Sequence, residues 1–178
     1  RMLTLWSELN GVSAPGQVTA GFLVLKGNGI FTLANATNDF GRMSADIVGP
    51  NIVPVADVLN VRDINSLIVD VLDTRLLDGT GIVNVTGIDA LSGNVLLTTG
   101  SGAADRLTLW PGVADVDNIL HAPDGSVFLT TNNLTINRYV DSGCRIFIAP
   151  VTATRPIIFG GAPGAENPAF LDVDDSEI

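Results

Sequence analysis

Short apolar runs rich in β-branched residues recur along this chain, at the spacing of roughly 8–12 residues that is typical of all-β proteins. Val18–Leu25 and Leu134–Val140 are two of these runs. Breakers such as Gly27-Asn28-Gly29 and Pro123-Asp124-Gly125 separate them and favour backbone turns that end a strand. The pattern predicts an all-β fold, either a sandwich or barrel or a β-solenoid.

The composition also disfavours a helical protein. Glu, Lys and Gln, which form exposed helix surfaces well, number 3, 1 and 1 among 178 residues. Turn and strand residues are abundant instead, with 16 Asp, 14 Asn, 15 Thr and 19 Gly. We therefore predict an antiparallel β-sandwich of the jelly-roll type, with a β-solenoid or a trimeric fibre as the alternative.

One segment departs from the strand pattern. Apolar residues between Asp63 and Gly79 fall on one helical face, namely Ile64, Leu67, Ile68, Val71, Leu72 and Leu76. Asp63 is a suitable N-cap residue, and Gly79 stands where a C′ glycine belongs. The pattern predicts a single helix near 63–77, although its β-branched residues leave a strand as the alternative.

Two weak internal similarities accompany the strand pattern. Residues 93–99 (GNVLLTT) resemble residues 125–131 (GSVFLTT), which follow 32 positions later. Residues 3–6 (LTLW) recur as residues 107–110. Rungs of this kind occur in β-solenoids, but Leu-Thr alternation is also common in ordinary strands. The two offsets are unequal and do not establish a period.

Charge and composition exclude several functional classes. The net charge of −10 argues against nucleic acid and anionic membrane surfaces, because both require a basic patch. No run of about 18 consecutive apolar residues is present, so membrane insertion is not expected. With one Cys and one His, the chain has neither an internal disulfide nor a zinc-binding pattern. We expect no cofactor and no metal.

The candidate chemical groups favour no enzyme class. His121 lies at the entry to a turn without a Gly-x-Ser-x-Gly motif, and Cys144 opens an apolar run typical of a buried thiol. The acidic groups around Asp115–Asp117 and Asp172–Glu177 contain oxygen ligands for Ca²⁺ but lack EF-hand spacing. Solvated acidic turns are the simpler interpretation, and we expect no catalytic residues.

The chain divides by composition into two parts. Residues 1–159 form the β-rich domain, and residues 160–178 form an extended arm rich in Pro and Gly that ends in acidic residues. Phe170, Leu171 and Val173 in this arm require an apolar environment. We predict that they contact a neighbouring subunit.

In its overall composition and strand pattern, the chain resembles structural proteins of virus and phage particles. These include jelly-roll capsid subunits, decoration proteins and fibre proteins. The resemblance rests on high apolar content, few charged residues and the Pro/Gly-rich arm. It implies a subunit that assembles with itself and other virion proteins through apolar contacts. One alternative is a secreted carbohydrate-binding or adhesin module, in which Trp6, Trp110 and Tyr139 form a glycan platform. Another is a hydrolase on a β-solenoid, which would place several Asp side chains along one groove. The expected location is the virion, or the extracellular space for the carbohydrate-binding alternative.

Overall fold

The structure is a computed structural model that describes residues 1–49, 56–76, 78–110, 118–155, 157–159 and 171–173. These ranges contain no helix, and so none that is long and apolar enough to cross a membrane. Their regular structure consists of strands. The strands are β1 Met2–Ser7, β2 Gly11–Ser13, β3 Thr19–Asn28, β4 Ile30–Leu33, β5 Asp39–Val48, β6 Asp57–Arg62, β7 Leu67–Val69, β8 Val71–Arg75, β9 Ile82–Thr86, β10 Ile88–Ala90, β11 Asn94–Thr98, β12 Arg106–Leu109, β13 Asn118–Ala122, β14 Val127–Thr130, β15 Asn133–Ile136, β16 Tyr139–Ser142, β17 Ile146–Ala149, β18 Ile157–Phe159 and β19 Leu171–Val173.

Two parallel sheets form the body of the molecule. Sheet A has nine strands in the order β15-β12-β7-β5-β10-β13-β16, with β3 beside β5 and β1 beside β3. Sheet B has six strands in the order β17-β14-β11-β6-β4-β2. The chain passes repeatedly from sheet A to sheet B and back, so the fold is a β-solenoid. Its six rungs are β1–β2, β3–β4, β5–β6, β7 with β10 and β11, β12 with β13 and β14, and β15 with β16 and β17.

The shortest rungs contain about twenty residues. Met2 pairs with Phe22 and Phe22 pairs with Arg42, each time twenty positions along the chain. The fourth rung is longer because a hairpin of β8 and β9 is inserted between β7 and β10. This hairpin is the only antiparallel pairing among the described strands.

The core lies between the two sheets. Strand residues alternate between the core and the outer faces, as the period of two in a strand requires. Leu23 and Met43 are paired and buried in sheet A, and Phe31 and Leu59 are paired and buried in sheet B. Burial of each such side chain contributes about 1.5–3 kcal/mol of transfer free energy. Stacking the rungs therefore creates one continuous core.

The similarity between residues 93–99 and 125–131 corresponds to two stacked rungs. β11 and β14 pair in this register, with Val95 opposite Val127 and Thr98 opposite Thr130. At the corner that follows, the Thr99 hydroxyl donates to the Thr131 hydroxyl across 2.8 Å. The 32-residue offset is therefore the length of one rung at this point of the solenoid.

The prediction of an antiparallel jelly-roll sandwich is wrong, because the pairings within sheets A and B are parallel. Turn signals mislead here, since the same residues serve a hairpin and a solenoid corner. Gly27, at φ 109°, lies one residue before the end of β3, just ahead of the corner where the chain passes from sheet A to sheet B. A Cβ atom there would overlap the Ser7 carbonyl oxygen in the rung below. The glycine is needed for stacking of the corners.

The predicted helix near 63–77 is also wrong. Leu67 and Val69 are buried in β7, and Leu72 and Thr74 are buried in β8. Within each strand every second residue is buried, which is the period of a strand and not of a helix. Ile64 is exposed outside these strands. A strand at β7 can pair with both β5 and β12, whereas a helix would interrupt the stack. These pairings outweigh the helical spacing of the apolar residues.

The predicted arm at 160–178 lies largely outside the described residues, as does Phe170. The backbone of Leu171–Val173 forms β19, which pairs in parallel with β18 and lies beside β15 of the same chain. The interface role predicted for Phe170, Leu171 and Val173 stays a prediction, as does the domain boundary at residue 159.

Candidate functional site

One side chain from each rung forms a straight column on the outer face of sheet A. Neighbouring members are paired residues of adjacent strands, so the column crosses all six rungs. We call it the outer column; its members are Trp6, Lys26, Asp46, Asp89, His121 and Asp141. The only Lys and the only His of the chain are both in it. Pairing between the rungs places these residues at the strand spacing of about 4.7–4.9 Å.

His121 connects the last three rungs. Its Nδ1 lies 3.1 Å from Asp89 Oδ1, and its Nε2 lies 3.3 Å from Asp141 Oδ2. A neutral imidazole has one N–H and donates to one carboxylate, whereas an imidazolium donates to both. All three side chains remain partly exposed. His121 therefore hydrogen-bonds to Asp89 and lies within ion-pair distance of Asp141, and it holds both carboxylates only in its imidazolium form.

Lys26 has the same role at the other end of the column. Its ammonium forms an ion pair with the Asp46 carboxylate and lies 5.4 Å from the centroid of the Trp6 ring. A cation over an aromatic face is attracted by the ring quadrupole. Lys26 therefore fixes both neighbours, and the Asp46 carboxylate remains partly exposed.

The column is suited to hydrogen bonding and does not form a nucleophilic triad. In a triad, the histidine nitrogen that does not face the acid faces a hydroxyl or thiol. In this protein both histidine nitrogens face carboxylates. The imidazole also occupies the space between Asp89 and Asp141 that an inverting glycosidase leaves for water. The arrangement supplies carboxylate acceptors to a ligand on the surface.

The hairpin of β8 and β9 covers the outer face beside the column. Leu72 and Val85 of the hairpin pack on Val24 of β3 in a small second core. The hydroxyls of Thr4 and Thr74 hydrogen-bond across 2.6 Å. The hairpin thus forms a raised edge along the first rungs of sheet A.

The sixth rung exposes apolar side chains that earlier rungs bury. Val127 and Leu129 of β14 are fully buried, whereas Ile146, which pairs with Val127, is 45% exposed. Phe147 on the outer face of sheet B is 41% exposed. β17 is the last strand of sheet B, so one edge of it lacks a neighbouring strand in the described part of the chain.

A buried acid lies at a corner of the solenoid, away from the column. Asp63 accepts hydrogen bonds from the backbone N–H groups of Phe40 at 2.6 Å and Asn65 at 2.9 Å. Burial raises the pKa of Asp63 to about 6, and the nearby charges of Asp39 and Asp105 add to the increase. The hydrogen bonds oppose this shift but do not cancel it.

The structure separates the three aromatic residues predicted to bind a glycan. Trp6 is half-buried on the first rung, whereas Trp110, 53% exposed, and Tyr139, 74% exposed, belong to the fifth and sixth. Four rungs correspond to roughly 19 Å. The three rings do not form one compact platform, and only an extended ligand could contact all of them.

The thiol and the acidic residues considered from the sequence do not form a site in the described part of the chain. Cys144 is exposed, in contrast to the buried thiol expected from its apolar run. Asp115–Asp117 lie outside the described residues. In the ranges that the structure describes, no three His, Cys, Asp or Glu side chains are grouped so that they could hold a metal ion.

Sequence reasoning missed the outer column, although a signal for it exists. Asp89 and His121 are 32 residues apart, the same offset that relates residues 93–99 to 125–131. Lys26 and Asp46 are 20 residues apart, which is the offset between paired residues of the first three rungs in sheet A. These offsets align Trp6 with Lys26 and Asp46, and they align Asp89 with His121 and Asp141. The step from Asp46 to Asp89 matches neither offset, because the hairpin of β8 and β9 lengthens that rung.

Comparisons with protein-family models, curated proteins and solved structures found no match.

Proposed function

We propose that this chain is a structural subunit of a virus or phage particle, of the capsid, decoration or fibre type. It acts by self-assembly and not by catalysis, and its partners are further copies of itself and other virion proteins. The observation that supports this proposal is the apolar sixth rung, with Ile146 and Phe147 exposed beside an edge of β17 that has no partner strand among the described residues.

The edge of β17 is suited to association. Unpaired backbone N–H and C=O groups on an edge strand can pair with another chain, and proteins usually shield such edges with charge or with covering elements. The four residues of β17, Ile146–Ala149, carry no charge. Pairing would bury apolar side chains at roughly 25 cal/mol per Å² while satisfying the backbone groups.

We propose a second copy of this chain as the occupant. Two identical β17 edges can pair about a two-fold axis, so that each satisfies the other, and two-fold dimers are the commonest closed oligomers. The net charge of −10 on each subunit opposes association. The contact must therefore be predominantly apolar, in agreement with the side chains at this edge.

The native mass measured by sedimentation velocity tests the proposal. The wild-type protein should form a dimer or larger assembly, and Phe147→Ser should weaken association by about tenfold or more. Phe22→Ser is the matched control, because Phe22 is 39% exposed but lies on the second rung, away from the β17 edge. Cys144, which precedes β17 and is exposed, provides a local probe, and its alkylation should slow on assembly.

Two results would contradict the proposal. A monomer at high concentration in every salt tested would remove the virion interpretation and favour the extracellular binding module. Equal weakening by Phe22→Ser and Phe147→Ser would show that association does not use the sixth rung.

A further inference from the structure

We infer that the outer column binds a neutral linear polysaccharide lying along the solenoid axis. The column presents partly exposed carboxylates on three rungs, at Asp46, Asp89 and Asp141. Strand pairing sets the separation of adjacent rungs at about 4.8 Å. A β-1,4-linked chain of pyranose rings advances by nearly one rung per ring, so its rings can meet the carboxylates of the third, fourth and sixth rungs.

Each carboxylate has one oxygen held and one oxygen available. Asp46 Oδ2 is paired with Lys26, Asp89 Oδ1 hydrogen-bonds to His121 Nδ1, and Asp141 Oδ2 lies 3.3 Å from His121 Nε2. In the described part of the chain, their other oxygens have no hydrogen-bond partner. A carboxylate oxygen is a strong acceptor for a sugar hydroxyl. Because Asp46 and Asp89 are already held by Lys26 and His121, binding loses little conformational entropy at these two side chains.

Aromatic rings stand at the two ends of the column. Trp6 belongs to its first rung, and Tyr139 lies two residues before Asp141, on the same outer face of β16. Aromatic side chains combine an apolar face with a polar edge, and this combination suits the C–H face and hydroxyl groups of a sugar. The first and sixth rungs are roughly 24 Å apart. The site is therefore long enough for several rings.

Two other polymers fit the column less well. A nucleic acid would be repelled by the carboxylates and by the net charge of −10. An extended peptide advances by about 3.3 Å per residue, so its side chains fall out of step with the rungs. A basic peptide does complement the charge, and it is therefore the competing ligand in the test.

Calorimetric titration with cello-, xylo- and manno-oligosaccharides of two to eight rings tests the inference. At least one series should bind, with affinity that rises with length and levels off near six rings. Asp89→Asn, which retains an acceptor for His121, should lower the affinity about tenfold by weakening a charge-assisted hydrogen bond. Asp57→Asn is the matched control, since Asp57 accepts one side-chain hydrogen bond from Asn94 in sheet B.

The inference is overturned if none of the three series binds, if affinity does not depend on length, or if Asp57→Asn weakens binding as much as Asp89→Asn. Binding of oligo-lysine without binding of any glycan would also overturn it. Unfolding midpoints of the variants separate loss of binding from loss of fold. Phe147→Ser should bind the hexasaccharide as the wild type does, so the result is independent of the assembly proposal.

Discussion

The rings of Phe128 and Phe147 stack with their centroids 4.6 Å apart and their planes inclined by 4°. The two residues are paired in β14 and β17, and their separation is close to the distance between neighbouring strands. Rung stacking therefore places the rings face to face on the outer surface of sheet B. Phe147 belongs to β17, which is the edge strand of this sheet in the described part of the chain.

We expect this pair to contribute to stability beyond the area that it buries. A double-mutant cycle with Phe128→Leu and Phe147→Leu should give a coupling energy of about 0.5–1.5 kcal/mol. Chemical unfolding of dilute monomeric protein measures it without interference from assembly. A coupling energy near zero would mean that the stacking follows from the backbone register and adds no stability.

Association should strengthen as salt increases from low to moderate concentration. Each subunit carries a net charge of −10, so screening reduces the repulsion between copies while apolar burial is retained. Sedimentation equilibrium at several NaCl concentrations provides the measurement. Weaker association at higher salt would indicate that ion pairs hold the contact.

Gly125→Ala should destabilise the protein by about 1–3 kcal/mol, the usual cost of overpacking. A Cβ atom at this position would overlap the Gly93 carbonyl oxygen of the neighbouring rung, and a backbone atom cannot move aside easily. Gly16→Ala is the control, because no atom lies within 4 Å of its added Cβ. Equal unfolding free energies for the two variants would contradict close packing at the corner.

Asp63 should make the protein more stable as the pH falls from neutral. Because its pKa is about 6 in the folded protein and 3.8 ordinarily, the folded state binds the proton first. The contribution of Asp63 to the free energy of unfolding is complete below pH 3.8 and is lost as the pH rises through about 6. Its full size is about 3 kcal/mol, at 1.36 kcal/mol per pKa unit.

The control for this effect is Asp63→Asn, which has no proton to bind. The wild type and the variant should differ in the pH dependence of the unfolding free energy between pH 4 and 7. Carboxylates distant from Asp63 affect both proteins equally, so the difference reports Asp63 together with its coupling to Asp39 and Asp105. Parallel pH profiles would show that the Asp63 pKa is not raised.

The sequence alone determined the all-β content of this protein. Scarce Glu, Lys and Gln leave few residues for exposed helix surfaces, and the turn residues divide the chain into short strands. These features involve residues close together in sequence, and they report only which secondary structure the backbone prefers locally.

The pairing of the strands depends on contacts between residues far apart in sequence. Gly27-Asn28-Gly29 ends one strand and begins another in either a hairpin or a solenoid corner, so turn chemistry does not distinguish parallel from antiparallel sheets. The segment from Leu67 to Leu72 satisfies both helical and strand spacing, and pairing with the rungs on each side selected the strand. The outer column depends on the same pairing, because Asp89 and His121 become neighbours only when their rungs stack. Contacts between residues distant in sequence arise from register, and register is fixed when the stacked rungs bury their apolar faces together.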